Sequence, residues 1–332
     1  MGVAVELFDD LAEAGRDAAA ALGREAKPSL FDRLDWYRLV AEYCPPPGKL
    51  VVIRARDGER SAWLFVAVQG GRARRWASWY SLRYGPVGDS GLLPAIAAAL
   101  RVGGIGRVEL YPVENSQAMR RGFREAGWIV FEREGTANWR TRTEGMSFEE
   151  WWAARPARLR NTAERKARSA GLDVEIHDSF DEDAWSAYEE VYARSWKPEE
   201  GSPAFLRALA EAEGAAGTLR LGIGRKDGRP IAAQLWLVEN GTATIHKLAY
   251  DEEAKALSPG TVLSLAMFRR AIDEDRVASI DYGTGDEAYK ADWMDERRTR
   301  WRVDAFDPRS FSGIAGAARA AASALVARLR SR

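Results

Sequence analysis

The sequence is poor in the residues that commit a chain to metal, redox or secreted scaffolds. It contains one cysteine, Cys44, and two histidines, His177 and His246. A single cysteine excludes an internal disulfide framework and suits a reducing compartment. Two histidines exclude a His-rich metal site and leave too few ligands for a Cys/His zinc set, so no metal is expected. Lys and Arg number 49 and Asp and Glu number 49, so no global field steers the chain toward nucleic acid or an anionic membrane. No run reaches the roughly 18 apolar residues that span a bilayer. The first residues lack the basic start and apolar core of a secretory signal. A cytoplasmic protein is the default expectation.

What is present describes a folded chain of some size. Apolar residues make up 46% and charged residues 30% of 332, which suits a globular protein of one large or two medium domains. Short strand patterns alternate with amphipathic stretches, and hairpin turns sit at Asp57-Gly58, Asp227-Gly228 and Asn240-Gly241. Ser147 with Glu150 forms a capping box, and Ser202-Pro203 opens a further helix. Strands interleaved with helices, with hairpins among them, predict an α/β fold with a mixed sheet.

The pattern also repeats. At a shift of 170 residues Asp57-Gly58 falls on Asp227-Gly228, Gly71 on Gly241, Ala73 on Ala243, Tyr80 on Tyr250 and Leu110 on Ile280. This predicts two copies of one domain, 1–140 and 141–308, followed by an Ala- and Arg-rich tail helix, 309–332. The copies differ in their polar groups. The second has His246 and Lys247 where the first has Trp76 and Ala77, and Asp281 where the first has Tyr111. The first copy has no counterpart of Tyr289-Lys290. Chemistry is therefore expected in the second copy, and the first is expected to be degenerate.

The residues that carry most information are Ala233-Gln234-Leu235-Trp236, Ile245 through Asp251, Ser258-Pro259-Gly260-Thr261, and Asp281-Tyr282-Gly283 through Tyr289-Lys290-Ala291-Asp292-Trp293. This pattern resembles the CelD-like, FemAB-related branch of the GNAT acyltransferases, whose members carry two tandem GNAT folds. The resemblance is specific over about residues 150–306 and architectural before that. It implies an N-acyltransferase that moves an acyl group from acyl-CoA to an amine, with no permanently bound cofactor. The branch is associated with envelope polysaccharide and lipid pathways, so a glycan, peptide or long-chain (sphingoid-type) amine is the implied acceptor, held in a cleft between the domains. An aminoacyl-tRNA donor is the alternative, and a non-catalytic acyl-CoA-binding protein is a third reading. Departing from the usual GNAT phosphate loop, which is rich in glycine and arginine, the chain has Ala256-Leu257-Ser258-Pro259-Gly260-Thr261.

By this resemblance Lys290 is placed to stabilise charge on the reacting carbonyl. His246 and Asp281 are candidates for handling the amine's proton, which calls for a base titrating near neutrality. Ser258, Pro259, Gly260 and Thr261 are the expected phosphate-binding turn, since a helix N-terminus favours anions. Gln234, Trp236, Lys247, Tyr250, Asp286 and Tyr289 are candidate substrate-binding residues, and Asp286 is also placed to cap the helix that carries Lys290. His177 reads as structural. The basic run Arg155 to Arg168, six basic residues and one acid, fits phosphate contact or a solvated helix face. A tRNA donor would need a broader basic surface than this neutral chain supplies. The tail, with Phe311, Ile314, Leu325, Val326 and Leu329 against Arg319, Arg328, Arg330 and Arg332, fits docking on the protein or peripheral contact with the inner face of a membrane.

Overall fold

Tight turns lay out the sheet of each half. In the computed structural model, which describes residues 2–330, the first half runs β1 (Ala4–Phe8), α1 (Leu11–Ala18), α2 (Leu34–Tyr43), β2 (Lys49–Asp57), β3 (Arg60–Gln69), β4 (Arg72–Arg75), β5 (Val87–Gly88), α3 (Leu93–Val102), β6 (Arg107–Val113) and α4 (Ser116–Glu125). The second runs β7 (Ile129–Arg142), α5 (Phe148–Ala153), α6 (Ala157–Ala170), β8 (Asp173–His177), α7 (Glu182–Ala193), α8 (Pro203–Ala215), β9 (Leu219–Lys226), β10 (Arg229–Glu239), β11 (Thr242–Tyr250), α9 (Pro259–Arg269), β12 (Ser279–Thr284), α10 (Lys290–Trp293) and β13 (Glu296–Phe306), and ends in α11 (Phe311–Arg330). Both β10 turns are two residues long with positive φ throughout, 50° and 80° at Asp227-Gly228 and 47° and 70° at Asn240-Gly241. Asp, Asn and Gly tolerate that backbone, and its twist matches paired strands.

The chain divides into two compact units, Met1–Thr136 with Thr299–Arg332, and Ala137–Arg298. Each has the same antiparallel ladder followed by one parallel step. In the first, β1, β2, β3 and β4 pair in order and β4 pairs with β6 in parallel. In the second, β8, β9, β10 and β11 pair in order and β11 pairs with β12 in parallel.

The final strands are exchanged. β7 follows the first half in sequence, yet its residues Asn138–Arg142 pair with β12. β13 follows the second half, yet its residues Trp301–Phe306 pair with β6. The segment from Thr299 onward, α11 included, therefore belongs with the first unit. Arg332 of the expected tail lies outside the described residues.

The register corrects one alignment made from sequence. Arg72 pairs with Arg107, and Thr242 pairs with Ser279, so Val108, and not Leu110, is the counterpart of Ile280. Glu109, and not Tyr111, then stands where the second unit has Asp281. The 170-residue shift holds up to β4 and β11, and the loops that follow differ in length by two residues. Both carboxylates serve the exchanged strand. Arg302 of β13 hydrogen-bonds Glu109 at 3.1 Å, and Arg140 of β7 lies 3.6 Å from Asp281.

An aromatic core holds the second unit together. Phe148, Trp151, Trp152, Trp236, Phe268 and Trp293 pack with Leu263, Met267 and Ile280. Trp151 stacks on Phe268 at 4.7 Å, and Phe268 stacks on Trp293 at 4.9 Å between ring centroids. The capping box fixes the start of α5 and so the direction in which Trp151 and Trp152 enter: Ser147 accepts from the Glu150 backbone, and the Glu150 carboxylate accepts from Ser147 N–H at 2.8 Å. α10 has only four residues and cannot hold itself as a helix. Trp293, 4% exposed, anchors it in this core, and Arg155 bonds its carbonyl at 3.0 Å. Trp293→Ala should cost about 3–5 kcal/mol by urea unfolding and release the segment before it. A loss under 1 kcal/mol would show that α10 is held by something else.

Candidate active site

β11 carries one residue more than β10 can pair. Trp236 lies opposite Ile245 and Leu235 opposite Lys247, which leaves His246 as the extra residue of a β-bulge. A bulge bends the strand that carries it. On its other edge β11 pairs with β12 only from Thr242 to Thr244. Past that point the parallel strands part, and a cavity of about 540 Å³ opens between them. Leu248 and Tyr250 of β11 and Tyr282 of β12 form facing walls, closed by the first turn of α9 and by Tyr289, Asp292 and Trp293.

α9 begins at this cavity. Ser258 takes a left-handed φ of 54°, Pro259 occupies the first turn, and Ser258 through Thr261 all line the space. The positive end of the helix dipole therefore faces the cavity. Gln234 fixes that end to β10: its amide donates to Ser264 Oγ at 2.8 Å and to the Gly260 carbonyl at 3.2 Å. The Tyr250 ring lies against Gly260, where a Cβ would sit 3.1 Å from the ring. On its other side Tyr250 meets Trp196, 4.4 Å between centroids.

The remaining wall is two tyrosines backed by a buried lysine. The Tyr282 and Tyr289 rings meet edge to face at 5.8 Å and their hydroxyls hydrogen-bond. Burial, followed by the Glu287 charge, pushes Tyr289 up to about 12, so its hydroxyl keeps its proton at neutral pH. Lys290 is 4% exposed. Its ammonium donates to the Thr284 carbonyl at 2.8 Å, pairs with Glu287 at 2.9 Å and lies 5.3 Å over the Tyr282 ring. The glycine loop is shaped by this contact. At Gly285, φ 119°, a Cβ would meet Lys290 Nζ at 2.8 Å and Glu287 at 2.4 Å.

This fold is shared with solved structures. The C-terminal DUF2156 domain of a protein described as a lysylphosphatidylglycerol synthetase from Agrobacterium fabrum matches with TM-score 0.60 and 18% identity, over 96% of each chain. FemX matches with TM-score 0.58 and 12% identity, over 81% of this chain and 94% of that one. A tandem GNAT protein from the clavulanic acid biosynthesis pathway matches with TM-score 0.51 and 13% identity, over 93% of this chain and all of that one. No curated protein matches the sequence. A family model described as an acetyltransferase (GNAT) domain matches residues 154–291. Residues 154–291 form a GNAT acetyltransferase domain.

Within this domain the expected site residues divide. Gln234, Tyr250, Ser258, Pro259, Gly260, Thr261 and Tyr289 line the cavity. Lys290 stands behind its tyrosine wall. Trp236 lies in the aromatic core, and its indole N–H donates to Gln234 Oε1 at 2.9 Å, which orients the amide that holds α9. Asp281 accepts from Asn138 at 2.6 Å and from the Gly283 N–H at 2.8 Å, so it builds the glycine loop and binds the exchanged strand. Asp286 does not cap α10, whose N-cap is Tyr289. It pairs instead with Arg297 at 2.7 Å and accepts from the Trp139 indole at 3.0 Å. Lys247 pairs with Glu200 at 2.8 Å. Of the lining residues that sequence reasoning passed over, Tyr282, Asp292 and Trp293 sit inside the quoted motif, while Trp196 lies on an irregular loop with no local pattern to expose it.

The first unit closes the equivalent gap with its own chain. Tyr84 bridges to Val113 beside β6, its N–H bonds the Pro112 carbonyl at 2.8 Å, and its hydroxyl bonds the Phe65 carbonyl.

His246 is not a base near neutrality. Burial, with the Lys247 charge adding, holds its imidazole down to about 3. The unfolded chain takes up that proton near pH 6.5 and the folded one does not. The resulting stability is complete above pH 6.5 and is lost as pH falls from there toward 3, at about 1.4 kcal/mol per unit. His246→Phe should flatten the dependence of unfolding free energy on pH between 6 and 4 by about one proton. Urea titrations across that range give the slope, and an unchanged slope would mean that the imidazole titrates normally in the fold.

Proposed function

We propose that the second unit transfers an acyl group from acyl-CoA to a primary amine, with the acyl-pantetheine arm in the gap between β11 and β12 and the phosphates at the start of α9. The observation that carries this reading is the parting of two parallel strands onto a helix N-terminus. It offers an extended slot with an anion-favouring end. The neutral amine nitrogen attacks the thioester carbonyl, the C–N bond forms and the C–S bond breaks; the thiolate takes a proton from a donor, and the proton lost by the nitrogen restores that donor. Tyr289 is the donor we assign, because it lines the slot and remains protonated at neutral pH. Lys290 acts through this wall, holding the glycine loop and Tyr282 in place, and its charge lies behind the tyrosines.

Support for the acceptor class is broader. One structural relative is described as a lysylphosphatidylglycerol synthetase, which favours an amine of lipid or envelope metabolism, long-chain sphingoid-type amines included. α11 leaves Phe311, Ile314, Leu325 and Leu329 exposed on a segment free of acidic residues, consistent with peripheral contact with an anionic membrane. A second donor, aminoacyl-tRNA, is favoured by α6, where Arg165 and Arg168 are exposed beside Arg158 and Arg160.

Thiol release from acetyl-CoA and longer acyl-CoAs, with a panel of primary amines, tests the reading. Amine-dependent release is expected. Turnover only with charged tRNA would replace it with the second donor, and tight acyl-CoA binding without any turnover would make the chain a binding protein. Two variants test the assignments. Thr261→Glu puts an anion at the positive end of α9, so it should leave the melting temperature unchanged or slightly raised while weakening acetyl-CoA at least about tenfold by calorimetry. Tyr289→Phe should lower kcat about 10²-fold with acetyl-CoA affinity retained; an unaltered kcat would remove the proton-donor role.

A further inference from the structure

A row of buried polar side chains runs from the aromatic core of the second unit to the slot. Trp236 and Gln234 are 1% exposed, Ser264 and Tyr282 are 5% exposed, and the row ends at Tyr289 on the slot wall. The direction of each bond follows from the first member. An indole N–H can only donate, and Trp236 donates to Gln234 Oε1 at 2.9 Å, which turns the Gln234 NH2 toward α9. That NH2 donates to Ser264 Oγ at 2.8 Å and to the Gly260 carbonyl at 3.2 Å. Gly260 precedes Ser264 by one helical turn, so its carbonyl is the one a helical serine hydroxyl ordinarily bonds. The helix ladder and Gln234 already occupy it. The Ser264 proton goes instead to the Tyr282 oxygen, with which it hydrogen-bonds. Tyr282, accepting there, gives its own proton to the Tyr289 oxygen. That bond pushes Tyr282 up and draws Tyr289 down, as donor and acceptor require.

We propose that this row aims the Tyr289 proton into the slot, with Ser264 and Tyr282 as positioning residues for the donor step. This rests on the acyl-CoA reading above and on Tyr289 as its proton donor. With Tyr282 bonded to its oxygen, Tyr289 has its one hydrogen left for the leaving sulfur. The Tyr289 O–H bond breaks, the S–H bond forms, and the phenolate oxygen keeps the Tyr282 bond until the proton lost by the amine nitrogen restores it. A hydrogen bond strengthens when its acceptor becomes an anion, so the row helps Tyr289 most while it is deprotonated. The row itself passes no proton along, because it ends in an amide and an indole, which keep theirs at neutral pH.

Turnover and binding of acetyl-CoA by the full chain test this. Ser264→Ala should lower kcat about tenfold with acetyl-CoA affinity retained by calorimetry. Tyr282→Phe should do the same, and Ser264→Thr, which keeps the hydroxyl, should recover most of the loss. In the Tyr289→Phe background Ser264→Ala should lower kcat no further, because no donor is left to aim. An equal loss in both backgrounds overturns the proposal and leaves Tyr289 as donor. So does a kcat unaltered by Ser264→Ala where Tyr289→Phe lowers it. A kcat unaltered by Tyr289→Phe removes the donor, and the role of the row with it. The bonds are also read without substrate: Ser264→Ala and Tyr282→Phe together should change the unfolding constant at least about fivefold less than the product of their separate changes. Independent effects there overturn the row whether or not acyl-CoA is turned over.

Discussion

Everything at the site depends on two parallel strands pairing for three residues and then parting. β11 and β12 could form a longer ladder, since both continue past Thr244 and Asp281. The bulge at His246 re-aims one of them, and the backbone groups that lose a neighbour there face a cavity. In the first unit the same opening is stitched shut by Tyr84. One architecture thus gives a slot in one copy and a filled seam in the other, and the difference lies in what the chain does after β4.

Most charges around the slot maintain its shape. Lys290, Asp281 and Asp286 each have protein partners at hydrogen-bond distance, and Gln234 spends both ends of its amide on neighbouring groups. Besides Lys255 and the Arg158-paired Asp292, what lines the cavity is a helix start, several aromatic rings and a protonated tyrosine. Such a surface suits chemistry in which positioning and one proton donor matter more than a strong protein base. An amine that arrives as an ammonium needs its proton taken elsewhere.

Local signals were legible in the sequence, and long-range ones were not. The two-residue turns, the Ser147–Glu150 box and the Ser202 cap each involve residues within four positions of one another. The duplication was legible because it preserves those turns, and so was the stretch around Lys290. The burial of His246 was hidden, because a bulge depends on the partner strand's register and leaves no mark on the residues beside it. The match of Asp281 to Tyr111 failed because a loop changed length by two residues. The exchange of β7 and β13 could not be read at all, since either pairing satisfies the same alternation of apolar and polar positions.

That exchange has a consequence for how the chain can be divided. Cutting between residues 140 and 141, where the repeat suggests a boundary, would leave each product without strand residues of its own ladder, Asn138 and Arg140 against β12 in one case and Trp301–Phe306 against β6 in the other. Asn138–Arg142 therefore belong with the unit that holds the cavity, although most of them precede the boundary that the repeat suggests. A boundary at Thr136 instead keeps the β7 residues that pair with β12 in the second unit. Each unit thus completes its sheet with strand residues that the repeat would assign to the other, the connectivity of a domain-swapped dimer whose protomers were joined by a linker.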